Sequence, residues 1–183
     1  MCLKYINIIL REIKETLQDA DEKAITELVE MITHSEKVFF VGVGRVLLSL
    51  EAIAKRLNHL GINTVVVGQI TEPAITSKDL LIVVSGSGET GFPLFIASKA
   101  KSYGAKVAHI GTSKECSMKK YTDLFVKIPA SNKKNSNEKK SVQPMTSLFE
   151  QSLLILGDAI AMTIIAKKHI DIPNLWQYHA NLE

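Results

Sequence analysis

Cysteine is scarce in this chain: 2 residues, Cys2 and Cys116, among 183. Far apart, they offer neither a disulfide framework nor a metal-ligand spacing. Charge of one sign is scarce too. The formal net charge is +3, and much of the excess sits in the single stretch "NKKNSNEKK". So small and local an excess excludes a general electrostatic attraction to nucleic acid or to a membrane surface. A signal peptide is not evident either, because the apolar part of "MCLKYINIILREIKE" is short and interrupted by charges. The most apolar segment, Leu148 to Ala166, carries Glu150 and Asp158, which favours a buried core helix over a membrane span. The expectation is a reduced, cytoplasmic enzyme or binding domain.

What is present is ordinary globular material, 46% hydrophobic and 22% charged, in an amount that fits one domain over 1–183. Four continuous apolar runs, "KVFFVGVG" from Lys37, "TVVVG" from Thr64, "LLIVVSGSG" from Leu80 and "AKVAHIGT" from Ala105, read as strands covered on both faces. A fifth, "DLFVKIP" from Asp123, is polar at both ends and reads as a sheet edge. Helical patterns lie between them. "LLSLEAIAKRLNHLG" ends on Gly61 and "TGFPLFIASKAKSYG" on Gly104, each a plausible residue just past a helix, and Pro93 fits a first turn.

Strand and helix alternate with short connections, which predicts a three-layer αβα sandwich with a parallel sheet and right-handed crossovers. A helical stretch from Tyr5 to His34, broken near "DADE", precedes the sheet. N-terminal helices thus occupy 1–35, the αβα core 36–129, a polar and mobile loop 130–142, and a C-terminal helical segment 143–183.

Chemistry concentrates at "SGSGET", which follows the third strand. Gly86 and Gly88 permit unusual φ and close approach of a ligand, and Ser85, Ser87 and Thr90 supply hydroxyls. The next helix aims its unpaired N–H groups at the same place, beyond the carboxyl end of a strand. The plain structural reading is a tight turn in which Ser87 caps the helix. The stretch lacks the P-loop lysine and spacing, and as G-x-G-x-x-G it follows the wrong strand for a dinucleotide fingerprint.

Three further positions carry two readings each. Ser147-x-x-Glu150 has capping-box spacing, so Glu150 is either a helix cap or a carboxylate available as a general base. Arg45 follows "GVG" at the opening of a helix, where a cation opposes the helix dipole and makes more sense beside an anion. It is otherwise a solvated surface arginine. His179, in the tail, is either solvated or a near-neutral proton carrier. His59 ends an apolar helix and reads as packed. Lys133, Lys134, Lys139 and Lys140 keep a loop solvated, or guide an anion inward.

"SGSGET" together with "VGVGR", "AKRLNHLG", "ASKAK", "QPMTSLFEQ" and "HANLE" resembles the sugar isomerase (SIS) domain family, in particular its 6-phospho-3-hexuloisomerase branch, over essentially the whole chain. The resemblance implies a five-stranded parallel sheet, a homo-oligomer (a tetramer), and an isomerase that needs neither metal nor cofactor. Its substrate would be a phosphosugar, D-arabino-3-hexulose 6-phosphate, interconverted with fructose 6-phosphate. Ser85, Ser87 and Thr90, with Gly44, Gly86 and Gly88, would hold the phosphate and Arg45 would orient it. Glu150 would be the base, and His179 would assist from its own or a neighbouring subunit.

The pattern is broken beside the expected pocket. Val46 and Leu47 stand where that branch has Ser and Gly, and loss of one charge-assisted hydrogen bond costs about 1.5–3 kcal/mol. Gln69 and Glu72 replace a Glu and a Thr. A non-catalytic phosphosugar sensor, or an isomerase of another phosphosugar, therefore stays open at this point.

Overall fold

The computed structural model describes residues 2–130 and 141–182. The ten-residue core of the expected mobile loop, with its four lysines, lies outside the described residues. Helices α1 (Cys2–Gln18) and α2 (Glu22–His34) come first. They part near "DADE" because Asp21 caps α2, its Oδ1 accepting from the N–H groups of Lys23 and Ala24 at 3.0 and 3.2 Å.

The apolar runs become β1 (Val38–Val41), β2 (Thr64–Val66), β3 (Leu80–Val84), β4 (Lys106–Gly111) and β5 (Leu124–Lys127). All pair in parallel, in the order β2-β1-β3-β4-β5. β1 and β3 are buried throughout, whereas β5 lies at an edge, as its polar ends indicate.

Side chains alternate between the faces with period two. Phe40, Ile82, Ala108, Ile110 and Val126 share a core with α2, α3 (Arg45–Asn58) and α5 (Ser147–Lys168). Phe39, Val41, Leu81, Val83 and Val107 face α4 (Gly91–Ser102) and a short 3-10 helix, Ser117–Tyr121. This is the αβα sandwich that the runs predict.

Gly61 and Gly104 take φ of +77° and +79°. Each closes a helix by paired backbone bonds, Ile62 N–H to Leu57 O with Gly61 N–H to Asn58 O, and Ala105 N–H to Ala100 O with Gly104 N–H to Lys101 O.

α3 and α5 run side by side in the same direction. Ser49 Oγ donates to Glu150 O near their N-termini, and Arg56 pairs with Asp158 at 3.4 Å further down. Between these points Gly157 touches Ile53 so closely that a Cβ there would overlap the isoleucine. Among the described helices α5 is the one long and apolar enough to cross a membrane. Here Leu153, Leu156, Ile160 and Ile164 are buried in the core.

Candidate active site

Strand order reverses between β1 and β3, and the chain leaves these neighbours in opposite directions. Parallel sheets open a crevice at such a point, outside the carboxyl ends of the strands. Two loops meet there: Gly42–Gly44 leading into α3, and Ser85–Thr90 leading into α4. Val41 and Val83 are paired across the strands that feed them. Gly44 turns the chain at φ +61° and ψ −141°. The N-cap residues Gly44, Thr90 and Thr146 make no side-chain capping bond to α3, α4 or α5, and helix N-termini such as those of α3 and α4 present first-turn N–H groups to the crevice.

The Ser85–Thr90 loop is tightly built. Ser85 is buried, its hydroxyl 3.1 Å from Thr90 Oγ1 and accepting from Gly88 N–H at 3.1 Å. Ser87 does not cap α4. Its Oγ accepts from Glu89 N–H at 3.2 Å, within the loop, and the side chain is exposed. Of the two glycines read as permitting unusual φ, only Gly88 adopts one, at +65°. A Cβ on Gly86 would meet nothing nearer than 3.8 Å. The fold does not require glycine at 86, since a Cβ there would make only ordinary van der Waals contact with Phe149 and Thr112.

Residues that sequence reasoning passed over hold this loop from behind. Thr112 donates to Gly86 O through both Oγ1 (2.7 Å) and N–H (3.0 Å). Glu89 accepts from Ser117 N–H and Oγ at 2.9 and 2.6 Å, and Met118 N–H donates to Gly88 O. His109 is buried under the loop, with Nε2 3.0 Å from Ser85 O. A carbonyl only accepts, so Nε2 carries the proton. Burial pushes the His109 pKa below its ordinary value, opposed by the bond to Ser85. The available signal was a polar residue in the middle of the apolar run "AKVAHIGT".

Glu150 enters from the first turn of α5. Its backbone N–H bonds to Thr146 O, and Thr146, not Ser147, occupies the cap position. The capping-box reading therefore gives way: the carboxylate faces Arg45, with Oε1 2.5 Å from Nε. Glu150 is buried, while the Arg45 side chain is 69% exposed. The ring of Phe149, the preceding residue, lies against Gly86. Arg45, Glu150 and the glycine–serine loop are thus brought to one place.

His179 is not among them. It follows the C-terminal 3-10 helix Ile172–Tyr178 and stacks on His59, ring centroids 5.3 Å apart. His59 lies at the far end of α3 from Arg45, about 20 Å away at 1.5 Å per residue.

Two departures from the expected pattern find local partners. Val46 and Leu47 are half-buried and pack against the α3–α5 core. Glu72 is turned into its own loop, accepting from Gly68 N–H at 2.6 Å, and Gln69 is exposed beside it. Among the described residues no cluster of three or more His, Cys, Asp or Glu side chains could hold a metal.

Comparison with known proteins agrees with this fold. The chain is 38% identical to a 3-hexulose-6-phosphate isomerase of Bacillus subtilis, covering 98% of both chains. It is 34% identical to one of Mycobacterium gastri over 97% of this chain and 89% of that one. A solved structure from Methanococcus jannaschii, described as inferring a 3-hexulose-6-phosphate isomerase function, superposes with a TM-score of 0.84 at 29% identity, covering 98% of this chain and 99% of that one. The SIS domain model matches residues 31–157, and the chain belongs to the SIS domain family.

Proposed function

We propose that this protein is a phosphosugar isomerase that interconverts D-arabino-3-hexulose 6-phosphate and fructose 6-phosphate. The observation that carries the reading is a buried carboxylate, Glu150, placed beside a loop built to receive a phosphate. A module that only bound phosphosugar would have no use for that carboxylate. Near-complete alignment with 3-hexulose-6-phosphate isomerases supports the choice of sugar.

In the reaction the carbonyl moves between C3 and C2. Glu150 removes the proton on C2 of the 3-hexulose, and the electron pair forms a C2=C3 enediol. The same carboxyl group returns a proton to C3, while the hydroxyl proton passes from O2 to O3. No atom is gained or lost. Ser85, Ser87 and Thr90, with Gly86 and Gly88 shaping the loop between them, and the start of α4 hold the phosphate, so the carbon acid is fixed within reach of the base. Gly44 and Arg45 close the other side. His179 shuttles the hydroxyl proton or opens the ring in a neighbouring subunit, since its own site lies at the other end of α3. The protein acts as a cytoplasmic homo-oligomer, a tetramer in the full assembly.

The purified protein tests this directly. Conversion of hexulose 6-phosphate to fructose 6-phosphate supports the assignment. Binding of fructose 6-phosphate without turnover would make the protein a sensor instead, the reading that Val46 in place of a hydroxyl residue keeps in play.

A further inference from the structure

The Arg45–Glu150 pair joins unequal partners. The Glu150 side chain is 4% exposed and that of Arg45 is 69% exposed. A carboxylate buried to this extent needs a counter-charge, and removing the partner of such a charge is strongly unfavourable. Arg45 meanwhile begins α3, whose N-terminus has no side-chain cap, and a cation there opposes the helix dipole unless an anion is close. Glu150 is that anion in the structure.

A bound phosphosugar brings a second one. Ser85–Thr90 leaves β3 next to the strand that delivers Arg45, and adjacent strands are about 4.8 Å apart. One arginine side chain therefore reaches either loop. Its planar fork suits phosphate as well as carboxylate, and its exposure leaves room to move.

We propose that Arg45 exchanges partners, pairing with Glu150 in the free protein and with the substrate phosphate in the complex. The inference rests on the phosphosugar reading of the site. The free protein holds its base masked by a cation. A phosphorylated sugar draws the cation away and leaves the carboxylate facing the carbon acid. An unphosphorylated sugar cannot, so the exchange makes the phosphate a condition of turnover and not merely a handle for binding.

Exchange makes Glu150 and the ligand competitors for one arginine, which a double-mutant cycle on binding detects. Inorganic phosphate and fructose 6-phosphate are titrated calorimetrically into the native protein, Glu150→Gln, Arg45→Met and the double variant. Removing the competitor makes Glu150→Gln bind both ligands about tenfold more tightly than the native protein, a difference near 1.4 kcal/mol. In the Arg45→Met background the same change gives no gain, because nothing is left to release. Arg45→Gln replaces Arg45→Met if the latter does not fold.

A gain that persists without Arg45 would mean simple repulsion between carboxylate and phosphate, and would overturn the exchange. So would unchanged or weaker binding by Glu150→Gln. Failure of all four proteins to bind either ligand would overturn the phosphate site along with it. Binding with the expected coupling but without turnover by the native protein would leave the exchange standing and remove the isomerase assignment.

Discussion

A methyl group on Gly88 would lie 2.8 Å from Cys116 Cβ and overlap the cysteine sulfur. The Ser85–Thr90 loop is therefore pressed onto the segment that follows β4, and Gly88 is one of its points of contact. Gly88→Ala also forces alanine to φ +65°. The expected loss of stability in urea unfolding is at least about 2 kcal/mol, from the left-handed backbone and the overlap together. Gly86→Ala behaves oppositely. Its methyl group makes only ordinary van der Waals contact with Phe149 and Thr112, so unfolding stays within about 0.5 kcal/mol of native, while KM for the phosphosugar rises about tenfold as the added group narrows the space for the phosphate. An unchanged KM would remove Gly86 from the ligand surface.

His109 gives the protein a pH signature. Its folded pKa lies below the ordinary 6.5 because it is buried, so near that pH the unfolded chain binds more protons than the folded one. Stability from this group is complete above about pH 6.5 and is lost as pH falls through the folded pKa. His109→Asn keeps a donor for Ser85 O but cannot titrate. Melting temperatures measured from pH 8 to pH 5 should fall less steeply for the variant, each kcal/mol at stake being worth about 2–4 °C in a chain of this size. Parallel curves would contradict the burial argument.

The place of His179 beside His59 predicts complementation. Glu150→Gln and His179→Ala are each expected to lose most activity. Dissociated, mixed and reassembled, they should regain a measurable fraction of it, because some sites would combine a native Glu150 with a native His179 from another subunit. Mixtures no more active than their components would place both groups in one chain, against the geometry of α3.

Most of the architecture was legible because the apolar runs are continuous and their boundaries carry chemical signals. "DADE" marks a break between helices, Gly61 and Gly104 mark ends, and polar ends mark β5 as an edge. The glycine–serine loop was legible as composition, but not the division of labour inside it. Gly86 and Gly88 look equivalent in sequence and differ in structure because only one is pressed against Cys116. Ser147-x-x-Glu150 satisfies a local rule that the structure overrides, since Arg45, distant in sequence, offers the carboxylate a full charge. His109 and Thr112 went unread because their task is to hold backbone carbonyls of another strand's loop, and such partners leave no trace in local spacing.

If Glu150 moves a carbon-bound proton, that proton exchanges with solvent through the carboxyl group. Fructose 6-phosphate is incubated in D2O with native protein and with folded Glu150→Gln, and deuterium at C3 is followed by NMR. The expected result is incorporation by the native protein and a rate about 10²–10⁴-fold lower for the variant. Exchange at the native rate in Glu150→Gln would contradict it.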